Sequence, residues 1–439
     1  MGVDVELKVQ NLTLLYWKSY FDKITLGMFF TDSDLQVIEN IKYDEENVEE
    51  EPHTEYIYST SVQKAIDRLD SAGYTLNSIE AKFNERKYRC LDYFSLLYPH
   101  YSDDEFDEAQ EMRINKYVTF KKWYNSVWKY AKYGLVNDLY SFYWNDNEDP
   151  SILPKTECDK IVYNSLKDGE RSYFGCLYEE FDHINTIRLI LEKCPRDETL
   201  FVNITEMVGW TYSSIDEMRL GEPNEKTIVL VEGTNDKEIL EFALKNIYPH
   251  LYNLYYFMDF EFGNVKKRRG GVDTISNNLK AFVYSKLRAR FIAIFDNDTV
   301  GTQAMKRLVY EIGDLPENFR VINYPDITRA KKYPTIGTNG KMILDNINGR
   351  ACSIELYLPE FILKKNTIYP PIEWESRIKA KIGTQELQEY QGAVSSKAEI
   401  EETFKKYKKA VEKGEKEFNV SDWEYIKKLL DVIVNAFHY

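Results

Sequence analysis

The stretch Thr227-Ile228-Val229-Leu230-Val231-Glu232-Gly233-Thr234-Asn235-Asp236 decides the fold of the second half of the chain. Ile228 to Val231 is a continuous apolar run, too short for a helix, and marks a strand buried on both faces. Immediately after it, Ile239, Leu240, Ala243, Leu244 and Ile247 fall on one stripe of a helix. The alternation then repeats. Leu251 to Phe257 reads as a strand, and Gly270-Gly271 leads into a helix through Ile275, Leu279, Phe282 and Val283. Phe291 to Phe295 is a third buried strand, a helix over 302–311 stops at Gly313, and Phe319 to Tyr324 is a fourth strand. Strands alternating with helices predict a mainly parallel α/β sheet.

Upstream the periods differ. Val3 to Val9 alternates with period two, and Leu12 to Trp17 can pair with it across Asn11. Val62, Ala65, Ile66 and Leu69 have helical spacing, with Ser59 or Thr60 as cap and Gly73 as stop. Further helical segments are predicted over 75–98, 104–144 and 177–194. The expected fold is an α+β N-terminal region (small sheet plus helices) over 1–220, an α/β domain over 226–365 and a helical C-terminal region over 366–439. In the last of these, Ile426, Leu429, Leu430, Ile433, Val434 and Phe437 form a stripe that must dock on the body or on a partner.

Composition bounds the function. The chain has 439 residues, 43% hydrophobic and 29% charged, ample for more than one core. No window approaches a membrane span, and the first residues lack both a signal peptide's apolar core and a myristoylation motif, since position 6 is Glu6. The five cysteines form no CxxC pair, which speaks against a zinc ribbon or disulfide framework and for a cytoplasmic setting. The net charge of −15 argues against a surface that wraps nucleic acid throughout, though not against a local basic groove beside acids. The acidic runs Asp44–Glu55 and Asp103–Glu108 read as solvated loops or helix starts.

In open α/β sheets ligands gather beyond the carboxyl ends of the strands. Glu232 follows the first strand, and Asp296-Asn297-Asp298 follows the third. On an extended chain residues i and i+2 point the same way, so Asp296 and Asp298 can aim at one point. Such oxygen ligands suit Mg2+. The pair alone says little, because 72 acids in 439 residues give roughly 12 such pairs by chance. Its position and the Glu-Gly of the first strand give it meaning. Carboxylates this close repel, which disfavours the arrangement without a cation. Competing readings are a helix cap for Asp236 and a turn residue for Asp298.

Residues 226–360 resemble a Toprim domain, the metal-binding fold of topoisomerases, bacterial primases and OLD-type nucleases. The resemblance rests on Leu230-Val231-Glu232-Gly233-x-x-Asp236, on Ile294-Phe295-Asp296-Asn297-Asp298, and on a glycine turn filled by Gly263 or by Gly270-Gly271. It implies that Glu232, Asp236, Asp296 and Asp298 hold Mg2+ (or Mn2+). Ser353-Ile354-Glu355-Leu356-Tyr357-Leu358 is similar to the later acidic segment of the nuclease branch and implies a metal-holding role for Glu355. Relatives also use a lysine beyond that segment, and Lys379 or Lys381 stands in about that place; Lys381 is the candidate carried forward. The implied chemistry is attack of metal-activated water on phosphorus, with Glu232, Asp296 and Asp298 as catalytic acids.

Met1 to Trp17, Ala65-Ile66-Asp67-Arg68-Leu69-Asp70-x-x-Gly73-Tyr74-Thr75 and the region Val202 to Trp210 resemble the HEPN/Toprim-associated N-terminal domain. No Arg precedes any His by four to six residues, so the HEPN ribonuclease signature is absent and this half is expected to be scaffold or recognition surface. Lys266, Lys267, Arg268 and Arg269 after the second strand, and Arg329, Lys331 and Lys332 after the fourth, could contact phosphates; the competing reading is a solvated loop for each. The resemblance implies a nuclease on DNA or RNA in bacterial anti-phage defence, working beside an ABC- or AAA-type ATPase, with a homodimer as a further partner to test. The chain itself has no P-loop. Two alternatives stand: a topoisomerase or primase, and a non-catalytic nucleic-acid-binding or regulatory protein.

Overall fold

The structure is a computed structural model. It describes residues 2–10, 12–43, 50–91, 104–134, 154–167, 183–211, 214–221, 226–260, 271–337, 340–382 and 385–438. The chain divides into two compact units, 1–223 and 224–437.

In the first unit, β1 (Asp4–Val9), β2 (Leu12–Lys18), β3 (Leu35–Tyr43), β4 (Glu50–Ser61) and β5 (Thr199–Asn203) form an antiparallel sheet in the order β2-β1-β5-β4-β3. The predicted hairpin of β1 and β2 is present. The first acidic run is not wholly loop: Glu50, Glu51 and Glu55 lie in β4, and 44–49 fall outside the described residues. The second run does start a helix, Asp104–Tyr117, whose N-terminal dipole favours acids. That helix and Phe120–Gly134 are separate, parted at Val118-Thr119, where one helix over 104–144 is expected; 135–144 fall outside the described residues. The helix Val62–Ser71 is capped by Ser61, not Ser59 or Thr60, because β4 continues that far. Gly73 (φ 88°) ends it, with Tyr74 N–H bonding Leu69 O.

Two charges of that helix turn inward. Arg68 is buried and donates to the carbonyls of Gly27 (2.8 Å) and Phe30 (3.1 Å). Asp70 receives two bonds from buried Arg188, at 2.6 and 3.2 Å, from the helix His183–Lys193. These residues are scaffold: each satisfies groups that could not otherwise be taken out of water.

In the second unit, β6 (Thr227–Leu230), β7 (Tyr255–Met258), β8 (Phe291–Phe295) and β10 (Phe319–Asn323) form a parallel sheet in the order β10-β8-β6-β7. Helices cover both faces. One core holds Val229, Ile292, Leu240 and Leu244, and the other holds Leu230, Ala293, Ile275 and Leu308. All five residues of β8 are buried, as its uninterrupted apolar run requires.

The region from 366 is not simply helical. Ile372–Ile382 (β14) and Gln385–Val394 (β15) form an antiparallel hairpin. Ile372, Trp374, Ile378, Ala380 and Ile382 keep a period of two, the strand signal that the charges between them obscure. The hairpin joins β11 (Tyr333–Ile336) and β12 (Met342–Asp345) in a second sheet, β12-β11-β14-β15. The expected helices do follow, at Lys397–Glu412 and Glu424–Val434. The stripe of the last helix docks on its own unit: Ile426, Leu429, Leu430 and Ile433 are buried with Trp423 against the helix Thr234–Ile247 and its neighbours.

Candidate active site

The order β10-β8-β6-β7 sets the site. The chain leaves β6 for β7 on one side, then returns to β8 on the other side of β6 and proceeds outward to β10. The connections diverge between β6 and β8, and there a parallel sheet opens a crevice beyond its carboxyl ends. Glu232 stands two residues past β6, and Asp296 stands one residue past β8. The two acids are therefore neighbours by topology, and the Asp296 N–H lies 3.4 Å from Glu232 Oε1.

Backbone contacts hold the strand ends in place. Gly271 N–H donates to Glu232 O at 3.0 Å, tying the glycine turn before the helix Val272–Tyr284 to the Glu-Gly end. Gly271 has φ +120°, a conformation that favours glycine. Gly263 and Gly270 lie outside the described residues. Gly301 is equally constrained: a Cβ there would meet Asp296 O at 2.4 Å. Sequence reasoning did not single it out, since a close approach leaves no trace in spacing.

The two remaining aspartates differ in whether they cap the helix that follows. Asp236 does not cap its helix; Gly233 is the N-cap, and the buried Asp236 carboxylate accepts from Tyr324 OH at 3.1 Å. Asp298 caps the helix Thr299–Ile312, accepting from Gly301 N–H at 2.7 Å and from Gln391 Nε2 at 2.6 Å. A short strand pair aligns it, β9 (Asn297–Asp298) against β13 (Ala351–Cys352).

Glu355 is fully buried, in the turn Ile354–Tyr357. It accepts from Ser353 Oγ at 2.6 Å and Asn235 Nδ2 at 3.2 Å, and its Oε1 lies 3.1 Å from Lys397 Nζ. Lys397 opens the helix Lys397–Glu412 directly after Ser396, whose φ of +59° is left-handed. A non-glycine residue there costs on the order of 1 kcal/mol, and that backbone leads straight into the lysine. Sequence reasoning missed Lys397: one lysine at a helix start, among 57 basic residues, carries no signal of its own. Lys379 and Lys381 lie in β14, with their side chains outside the described residues.

The electrostatics follow from burial and crowding. Burial, with Asp298 and Asp236 nearby, pushes Glu232 up to about 8. Burial beside Glu355 pushes Asp236 up to about 7, against the pull of Lys397. Asp296 is raised well above the carboxylate range by burial and by Glu232, Asp236, Asp298 and Glu355. Asp298 is raised by burial. Lys397 is raised by the surrounding carboxylates, Glu355 foremost, although burial opposes this.

Among the described residues no three His, Cys, Asp or Glu side chains stand together as a ready metal cage. Asp298 and Glu355 are engaged by their own hydrogen-bond donors. Asp296 Oδ1 is different: it is buried and has no hydrogen-bond partner. An unsatisfied carboxylate oxygen amid other carboxyls suits a hard cation in donor chemistry.

The basic candidates separate. Arg329 gives its guanidinium to the carbonyls of Leu358 (2.9 Å) and Leu356 (3.3 Å) and lies over the Tyr425 ring. That makes it a strut of the fold, and a phosphate would have to displace those bonds. Lys331 and Lys332 are exposed in the turn Arg329–Lys332. Lys266, Lys267, Arg268 and Arg269 lie outside the described residues.

A family model described as HEPN/Toprim N-terminal domain 1 matches residues 1–226, just over half the chain. The chain belongs to that family. Membership associates it with nuclease-related or defence-related proteins. No curated protein matches the chain. No solved structure matches it either. Among the described residues no helix is long and apolar enough to cross a membrane.

Proposed function

We propose that 226–365, within the second unit, is a Toprim-type domain and that the protein is a Mg2+-dependent (or Mn2+-dependent) nuclease cleaving phosphodiester bonds in DNA or RNA. The observation that carries this reading is the set of carboxyls at the diverging strand ends, with Asp296 Oδ1 buried and unsatisfied. Glu232, Asp296, Asp236 and Asp298 would hold the cation, with Glu355 behind them. The bound cation would supply Lewis-acid stabilisation of phosphate oxygens and a more acidic water. Glu232, pushed up to about 8, suits proton transfer near neutral pH. Lys397 orients Glu355 and offers positive charge toward a phosphate; its side chain remains about half exposed. Lys331 and Lys332, with 266–269, would meet the nucleic-acid backbone. The setting we propose is bacterial anti-phage defence in the cytoplasm beside an ABC- or AAA-type ATPase; the family membership supports the coarser nuclease- or defence-related role.

Two observations favour a second reading, a non-catalytic binding or regulatory protein: Lys397 already compensates part of the acidic cluster, and Asp298 serves as a helix cap. The experiment that separates the two incubates purified protein with plasmid and with total RNA, in Mg2+, Mn2+ or EDTA, beside Glu232→Gln and Asp296→Asn. Metal-dependent cleavage lost in both variants supports the nuclease. Nucleic-acid binding without cleavage under all conditions would favour the second reading.

A further inference from the structure

The edge of the second sheet presents an open strand of unusual composition. β12 pairs with β11 on one side, and among the described residues it has no strand on the other. Its residues Met342, Ile343 and Leu344 are 62%, 49% and 68% exposed. Side chains alternate along a strand, so both faces of this edge are apolar and open. Exposed flat apolar edges pair with other strands unless something blocks them.

The ladder fixes which backbone groups are available. Gly337 N–H donates to Lys341 O at 2.9 Å, so Gly337 and Lys341 form a hydrogen-bonded pair. The register continues Ile336↔Met342, Thr335↔Ile343, Pro334↔Leu344 and Tyr333↔Asp345. Hydrogen-bonded and non-bonded pairs alternate in an antiparallel ladder. Lys341, Ile343 and Asp345 therefore turn their amide groups toward β11. Met342 and Leu344 turn theirs to the open edge, which agrees with Pro334, lacking an N–H, standing opposite Leu344.

We propose that β12 pairs with β12 of a second copy of this chain, antiparallel about a two-fold axis through Ile343. That register sets Met342 opposite Leu344 of the second copy, both with outward amides, so four backbone hydrogen bonds form. Ile343 faces its own symmetry mate as a non-bonded pair, with side chains close together. Lys341 falls opposite Asp345, so the segment Lys341-Met342-Ile343-Leu344-Asp345 is complementary to itself. Asp345 also engages Arg350 at 3.0 Å, so the rim charges chiefly set register, and the apolar triad and backbone bonds set affinity. A two-fold pairing uses up both edges and stops at a dimer.

The test uses the full chain in sedimentation equilibrium, as wild type, Ile343→Glu, Ile343→Lys and an equimolar mixture of the two variants. Like charges across the axis should halve the mass of each variant relative to wild type. The mixture should regain twice the chain mass, because Glu then faces Lys. Unchanged circular dichroism and melting of the monomeric variants show that their fold is intact, as exposure of residue 343 requires. A monomeric wild type, a variant that stays dimeric, a mass beyond the dimer, or a mixture that stays monomeric each overturns the proposal, including the case where the edge serves a different protein's strand.

Discussion

The Lys397 ammonium lies 3.1 Å from Oε1 of Glu355, a carboxylate with no exposure at all. Removing the lysine leaves a buried acid with only the donors Ser353 and Asn235. Lys397→Met should therefore lower stability by about 1–3 kcal/mol, less than for a fully buried pair because the lysine is half exposed. Lys397→Arg should recover most of the stability. If Lys397 also faces phosphate, cleavage should fall on the order of 100-fold in Lys397→Met. Denaturant titration beside a cleavage assay separates the effects, and an unchanged midpoint would sink the structural part.

Crowded acids make a signed pH prediction. Glu232 and Asp236 have folded-state values of about 8 and about 7, raised above their ordinary values. Their favourable contribution is fully present below the unfolded values and is lost as pH rises through the folded ones. In EDTA, stability should therefore fall between about pH 5 and pH 8. Glu232→Gln should match wild type near the acid end and exceed it at the alkaline end. A difference that is flat across this range would contradict the crowding.

Gly301 tests the backbone beneath the acids. A methyl at this position meets Asp296 O at 2.4 Å, so Gly301→Ala must displace the β8 end or the helix. Overpacking of this kind costs about 1–3 kcal/mol. The expected outcome is a lowered melting temperature together with weaker metal-dependent stabilisation. A fully wild-type Gly301→Ala protein would mean that the close approach does not constrain the site.

The end of the chain acts as a clamp within its own unit. Deleting 421–439 removes Trp423, Ile426, Leu429, Leu430 and Ile433, all buried. Each is worth roughly 1.5–3 kcal/mol of burial, a total comparable to the net stability of a whole domain. The truncated protein should lose the cooperative unfolding of its second unit at every concentration. A folded truncation with altered mass would instead identify the helix as a subunit contact.

The parallel sheet and its acidic strand ends were legible because buried strands leave uninterrupted apolar runs, as Phe291 to Phe295 does. The hairpin Ile372–Val394 was not, since its alternation is diluted by Glu373, Glu375, Lys379 and Lys381. Lys397 was illegible for a different reason: it reaches Glu355 only through tertiary folding, and sequence spacing carries no trace of that. Which of Asp236 and Asp298 caps its helix was not legible, because each stands at the start of the helix that follows it. What decided was the short pairing of β9 with β13 and the hydroxyl of Tyr324.

The cluster also has an order in time. Protein synthesis runs from the amino end, so Glu232, Asp236, Asp296, Asp298 and Glu355 all leave the ribosome before Lys397. A nascent chain ending between Glu355 and Lys397 can pair β6 with β8 and bring the acids together, yet it lacks the ammonium that offsets them. The last helix, which covers the same unit, is made later still. Closure of this unit thus waits for the later segments, and until they fold its acidic crevice depends on protons or cations from the surrounding solution.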